Sequence, residues 1–325
     1  MISESVLFAK AHDAVLKANR ILLIGDFDPD GDSIGAVTAF YDWVKTLKKE
    51  VDVFCPRPLP KNLLSLDHVY DISNDPATLE FPHDLIITFD AGDVARASLK
   101  DTTRIPKGYQ LIVVDHHATN TKFGDLNLVF TEACATCEVV YRFFIANKIA
   151  ITPAIASSLL AGLAYDTTFF TNAATTARGM EIAGALLSAG ARLSDVTKSL
   201  AKNKSIPALK LWGLALSRLT KNEKLDFVWT YFLQADLEGI PGAEEAIAGM
   251  SNFLAGISGS SDAVLVLHEQ KNGMVRGSMR SMNRDISTLA KALGGGGHKK
   301  AAAFSIPGKL ELKDGKICII QPTTA

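Results

Sequence analysis

Asp115-His116-His117 puts one carboxylate and two imidazoles in consecutive positions. Such groups bind divalent metals: carboxylate oxygen suits hard cations, and imidazole shifts preference toward the later transition metals. The triplet directly follows the apolar run Leu111-Ile112-Val113-Val114. Two similar junctions lie nearby. Ile21–Ile24 runs into Asp26, Asp28, Asp30 and Asp32, and Leu85–Phe89 runs into Asp90 and Asp93. A fourth candidate, Asp166, ends an apolar stretch at Tyr165-Asp166-Thr167. So many oxygen ligands beside His116 exceed what one zinc needs and suit a two-metal site, with ions about 3.5–4 Å apart. One carboxylate must then bridge, and Asp90, alone at its strand end, is the expected bridge. A metal-bound histidine usually donates its other ring N–H to a carboxylate or carbonyl, which makes Asp115 an orienter. His117 is expected to meet a substrate phosphate or to join the second metal. A single Asp after a strand is commonly a turn or N-cap residue. Asp32, just before Ser33, is open to that reading, but the coincidence of four sites favours the metal.

Elements that position these residues follow from the hydrophobic pattern. Strands apolar throughout are typical of parallel sheets covered on both faces, and ligands bind at the carboxyl ends of such strands. The pattern predicts strands at 21–25, 51–54, 85–89 and 111–114, alternating with helices at 5–19, 33–44, 138–146, 154–164 and 177–189. Lysines interspersed with leucines over 194–222 predict an amphipathic connecting helix. Beyond it, strands are expected at 226–233, 263–268, 274–282, 301–306 and 317–320, with a short helix at 286–293. The expected organisation is a metal-binding domain at 1–190, a linker helix at 191–222 and a second, smaller α/β domain at 223–325.

Composition excludes several classes. The chain has 325 residues, enough for two cores, with 47% hydrophobic and 21% charged residues. A net charge of -1 supplies no basic field for long nucleic acid. No apolar run approaches the roughly 18 residues of a membrane span. The segment Met1-Ile2-Ser3-Glu4-Ser5 lacks the pattern of a signal peptide. Cys134 and Cys137 form a lone C-x-x-C without the further ligands a zinc site needs, so free buried thiols and a cytoplasmic location are expected.

Together these motifs resemble the DHH phosphoesterases. Asp30-Gly31-Asp32-Ser33-Ile34-Gly35-Ala36 resembles the first family motif, Phe89-Asp90 the second, Asp115-His116-His117 the third and Tyr165-Asp166-Thr167 the fourth. Gly294-Gly295-Gly296-Gly297-His298-Lys299-Lys300-Ala301-Ala302-Ala303-Phe304 resembles the glycine-rich signature of the DHHA1 substrate-binding domain. Phe123–Val129 and the Glu138 region also resemble standalone members, so the likeness covers nearly the whole chain. The most similar subgroup is the nanoRNase/pAp-phosphatase type. It usually has a histidine where this chain has Asp26. Gly25-Asp26-Phe27-Asp28 instead resembles the start of the RecJ exonuclease motif, leaving two registers: Asp26, Asp30 and Asp32, or Asp26, Asp28 and Asp30. The shared Gly-Asp-Ser-Ile-Gly ending favours the first.

The resemblance implies two Mn²⁺ ions, with Mg²⁺ as an alternative, held by Asp26, Asp30, Asp32, Asp90, His116 and Asp166. His117 and Asp115 are the catalytic pair. It implies hydrolysis of short oligoribonucleotides or linear dinucleotides, and of 3′-phosphoadenosine 5′-phosphate (pAp). Alternatives are a cyclic-dinucleotide phosphodiesterase and a non-catalytic nucleotide-binding regulator. The partner is then a short RNA or dinucleotide, with no membrane and no long nucleic acid; a homodimer stays open. Expected substrate contacts are Arg96, Arg276, Ser278, Arg280, Gly295, Gly296, Gly297 and His298. Strand alternation puts Arg276, Ser278 and Arg280 on one face, arginine suits bidentate phosphate contacts, and glycines let backbone N–H groups approach an anion.

Overall fold

A computed structural model describes residues 3–320, apart from 61–62, 64–65, 101–103, 201–204, 241, 244–246, 248, 258–261, 282 and 314–315. The chain divides into two compact units, residues 1–203 and 204–325.

In the first unit, β1 (Arg20–Ile24), β2 (Glu50–Phe54), β3 (Leu85–Phe89), β4 (Gln110–Asp115) and β5 (Leu126–Val129) form one sheet in the order β2-β1-β3-β4-β5. Every pairing is parallel. The apolar runs are explained by burial on both faces. Ile21, Leu23, Ile87, Ile112 and Val114 face one core, and Leu22, Ile24, Ile86 and Leu111 face another. The first core packs against α1 (Glu4–Lys17), α2 (Gly31–Thr46), α3 (Thr136–Ala146) and α4 (Pro153–Asp166), with α5 (Ala177–Ser188) alongside. The second is closed by the segment around Ala91, Ala97, Leu99 and Ile105 and by the 3₁₀ turn Pro76–Glu80. The order 2-1-3-4-5 reverses between β1 and β3. That reversal opens a crevice at the carboxyl ends of the strands, where Asp26, Asp90 and Asp115 emerge.

The amphipathic stretch read as one connecting helix is two helices, α6 (Leu193–Leu200) and α7 (Ile206–Ser217). Ser205 caps the second through Ala208 N, and Pro207 sits in its first turn, where a missing N–H costs nothing. In the second unit, β6 (Thr220–Asn222), β7 (Phe227–Phe232), β8 (Ala263–Glu269), β9 (Met274–Ser281), β10 (Gly296–His298) and β11 (Ala301–Pro307) form a six-stranded sheet in the order β10-β11-β9-β8-β7-β6. Only β7 and β8 run parallel. One face packs on α7, α8 (Gln234–Leu237) and α9 (Met250–Ile257), the other on α10 (Ser287–Ala292) and Leu310 of the β12–β13 hairpin (Lys309–Lys313, Lys316–Ile320). No described helix is long and apolar enough to cross a membrane.

Two glycines set how closely the first unit's helices approach. A Cβ at Gly35 of α2 would lie 2.4 Å from the Ser158 carbonyl of α4, and one at Gly162 of α4 would lie 2.2 Å from Cys137 Sγ of α3. A backbone carbonyl cannot step aside as a side chain can. Gly35→Ala is expected to destabilise the protein by about 2 kcal/mol or more through overpacking, lowering Tm by about 4–8 °C. Gly184→Ala, on the exposed face of α5 with open space around it, should instead be neutral or stabilising by about 0.5–1 kcal/mol. Thermal unfolding of the two variants checks the pair, and equal Tm values would contradict the close helix contact.

Candidate metal centre

Asp30 ends the β1–α2 loop in extended conformation and caps α2, its Oδ1 accepting from Asp32 N and Ser33 N, each at 3.0 Å. The cap sets which neighbouring carboxylate faces inward. Asp32, one residue into the helix, turns inward and is fully buried. Its Oδ2 accepts from Thr136 N at 2.6 Å and its Oδ1 from Cys137 N at 2.9 Å. These are the first N–H groups of α3, whose own N-cap position, Ala135, offers no side-chain acceptor. Asp32 thus caps a helix 104 residues away and sits on its positive end. Asp28 is exposed and pairs with Arg57 at 2.5 Å.

Asp90 leaves β3 in the left-handed region, φ 64°, sparsely populated by residues other than glycine. Its N–H donates to Val114 O at 2.9 Å, and its Oδ1 accepts from Thr136 Oγ1 at 2.9 Å. Asp115, fully buried, gathers the triplet around itself. Its Oδ1 accepts from His116 N at 2.8 Å, His117 N at 3.2 Å and His117 Nδ1 at 2.8 Å; its Oδ2 accepts from Asn120 Nδ2 at 2.5 Å. The imidazole it orients is therefore His117.

His116 is oriented differently. Its Nδ1 lies 3.2 Å from Ala133 O, which only accepts, so Nδ1 carries a proton and Nε2 is turned inward. Nε2 is buried and makes no hydrogen bond. Around it lie Asp166 Oδ2 at 3.1 Å, Asp90 Oδ1 at 3.7 Å and Asp32 Oδ2 at 3.9 Å. Two sets of metal-compatible donors result, Asp32/His116/Asp166 and Asp90/His116/His117, with His116 common to both. A buried imidazole nitrogen without a hydrogen bond, facing three carboxylates, fits a divalent cation.

Electrostatics point the same way. Burial, then the charges of Asp166 and Asp32, raise the Asp30 pKa. Burial and Asp166 raise that of Asp32. Burial and the charges of Asp32, Asp30 and Asp166 hold Asp90 well above its ordinary value. Burial alone would lower the His116 pKa, but Asp166 and Asp32 overcome it and hold it at about 9. Burial would raise Asp115, yet its bonds to His117 and Asn120 keep it low, ionised and able to orient His117. Without a metal, the cluster keeps protons that a divalent ion would displace.

Other predicted residues are spread over both units. Asp26 is in neither donor set; Arg96 grips its carboxylate, with Nε 2.7 Å from Oδ2. In the second unit, Arg276, Ser278 and Arg280 alternate along β9 and line one cavity of about 300 Å³ with His268 and Gln270. Burial pulls the Arg280 pKa down, a penalty that an anion would offset. The four-glycine run is ordered rather than a loose loop. Gly294, φ 74°, ends α10, and Gly296–His298 forms edge strand β10 on β11. A Cβ at Gly295 would lie 2.1 Å from Ala303 O, so this glycine permits strand contact. Phe169 and Phe170 pack partly buried against the first core in a left-handed turn. Cys134 and Cys137 are free and buried.

Reading the sequence residue by residue missed Thr136, Asn120 and the Ala133 carbonyl. Asn120, three positions after the triplet, was a visible signal: a short amide near a buried carboxylate. Thr136 lay inside the C-x-x-C, where the cysteines drew attention from the threonine between them.

Residues 20–163 match the DHH family, N-terminal domain, and residues 233–316 match the DHHA1 domain. Among relatives, the bifunctional oligoribonuclease and PAP phosphatase NrnA of Thermus thermophilus is 29% identical over 297 residues, 90% of this chain and 87% of that protein. Its namesake from Bacillus subtilis is 27% identical, covering 89% and 90%. Among solved structures, an exopolyphosphatase-related protein from Bacteroides fragilis shares the fold, with a TM-score of 0.83 at 22% identity, over 94% of this chain and 92% of that one. With both domains in this order and the donor sets at strand and helix ends, the chain belongs to the DHH/DHHA1 family of phosphoesterases.

Proposed function

We propose that this protein is an Mn²⁺-dependent phosphodiesterase. It cleaves short oligoribonucleotides and linear dinucleotides to mononucleotides, and also removes a phosphate from pAp. The observation that carries this reading is the buried His116 Nε2, without a hydrogen bond and ringed by Asp32, Asp90 and Asp166. Likeness over nine-tenths of the chain to two oligoribonuclease and PAP phosphatases supports the substrate class.

Asp32, Asp90, His116 and Asp166 are the proposed ligands, with Asp30 beside them. Two bound Mn²⁺ ions would supply Lewis acidity, lowering the pKa of water toward neutrality and offsetting charge on the phosphoryl oxygens. The chain's own residues do the rest. Asp115 holds His117 at 2.8 Å for contact with a phosphoryl oxygen. Arg96, half exposed, adds a second cation. The β9 arginines of the second unit, lining their own cavity, suit a phosphate group.

Protonation makes metal binding pH-dependent. Asp30, Asp32, Asp90 and His116 all have raised pKa values in the metal-free fold, His116 to about 9. Each keeps a proton that the unfolded chain has released. Their stabilisation is complete at low pH and is lost as pH rises through the folded values. Metal binding must expel these protons, so it strengthens as pH rises.

Three outcomes are expected. In a hydrolysis panel of pAp, pApA, pGpG, c-di-AMP, c-di-GMP and a longer RNA, with Mn²⁺, the linear dinucleotides and pAp should turn over fastest. Preference for a cyclic substrate would shift the assignment to a cyclic-dinucleotide phosphodiesterase, and Mn²⁺ binding without any turnover would leave a nucleotide-binding regulator. His116→Ala should lower kcat by about 10³-fold or more, since several kcal/mol of charge stabilisation go with the ion; near-normal turnover would refute the ligand assignment. Finally, the Tm of EDTA-treated protein should fall from pH 5 to pH 8, while the gain on adding Mn²⁺ grows. A gain independent of pH would contradict the proton–metal exchange.

A further inference from the structure

Asp26 stands at the carboxyl end of β1, beside the donor sets, and is only 2% exposed. Both of its oxygens are committed. Oδ1 accepts from Asp28 N at 2.8 Å and from Arg96 Nη2, while Oδ2 accepts from Arg96 Nε at 2.7 Å. This is a two-pronged, charge-assisted pairing in which the carboxylate and the planar guanidinium match in shape.

Arg96 is fixed through its backbone too. Its N–H donates to Asp93 Oδ1 at 2.9 Å, and its carbonyl accepts from Phe27 N at 2.8 Å. Backbone and side chain thus both tie the segment after β3 to the loop after β1. The Arg96 side chain still keeps 47% of its surface open, with Nη1 3.8 Å from Asp28 Oδ2. A cation is therefore held in one orientation at the rim of the site, with an open face. For Asp26 to ligate a metal, the fork would have to open. The ion would then sit against the released guanidinium, with two positive charges competing for one buried carboxylate.

We infer that Asp26 is a positioning residue: it holds the Arg96 guanidinium toward a substrate phosphate and does not ligate the metal. The phosphate contact rests on the phosphoesterase reading; the exclusion of Asp26 from the metal does not.

Mn²⁺ titration calorimetry on the full chain, stripped with EDTA, separates the two. Asp26→Asn should leave the number of Mn²⁺ ions bound unchanged and each Kd within about threefold, whereas Asp166→Asn should weaken binding about tenfold or more. With Mn²⁺ saturating and pApA as substrate, Asp26→Asn, Arg96→Ala and the double variant should raise KM by similar factors, because the residues act as one unit. Arg96→Lys keeps the charge but loses the fork; it should raise KM at unchanged Mn²⁺ affinity, and it stands in if Asp26→Asn fails to fold. Loss of one Mn²⁺ equivalent, or about tenfold weaker binding, in Asp26→Asn but not in Arg96→Ala would overturn the inference. So would an unchanged KM in both Asp26→Asn and the Arg96 variants. If the wild type hydrolyses nothing, the functional reading fails, and the titration alone still decides whether Asp26 is a ligand.

Discussion

Confined negative charge is the constraint on which the first unit is organised. Asp30, Asp32, Asp90 and Asp115 lie within one crevice, mostly or wholly out of water, and Asp166 closes it. Carboxylates brought this close raise one another's pKa and resist burial. Nearly every local feature of the crevice answers that penalty. The first turn of α2 is capped by Asp30, the first turn of α3 by Asp32, Thr136 donates to Asp90, and two N–H groups with an imidazole serve Asp115. The helices are therefore packed on the sheet by apolar contact and aimed at its edge by charge. What the protein groups leave unbalanced is centred on His116 Nε2, where a divalent ion fits.

The strands were legible in the sequence because their physics is local. Ile21–Ile24, Leu85–Phe89 and Leu111–Val114 are apolar at every position but Thr88, as two-sided burial demands, and Asp26, Asp90 and Asp115 follow them. The motif resemblance then joined separate strand ends into one site. Less legible were effects that join distant residues. Capping of α3 by Asp32 spans 104 residues, and no pattern around Thr136 announces it. That Asp32 is buried and Asp28 exposed depends on Asp30 being a cap, which turns the next carboxylate inward. The connecting helix was over-extended because amphipathic spacing continues across a Ser-x-Pro start that restarts the helix. The glycine run was read as a backbone cradle for an anion; the structure adds that it permits close packing of β10 on β11.

The two units carry different kinds of polar group. The first uses fixed carboxylates and imidazoles on strand and helix ends, where geometry is stiff. The second offers guanidinium groups along β9, beside a cavity bounded in part by α9. Arginine there, rather than another acidic group, makes the chemistry of this cavity the opposite of that of the crevice in the first unit.

The left-handed backbone at Asp90 governs how this site tolerates change. Among residues without glycine's freedom, asparagine and aspartate occupy that region most readily. Replacing Asp90 by asparagine therefore exchanges a carboxyl group for an amide on an unaltered main chain. A valine or isoleucine there would also have to distort the turn that brings β3 to β4. Sequence drift at this position is thus restricted twice over, by chemistry and by chain geometry, and a substitution series across it reads out both restrictions separately.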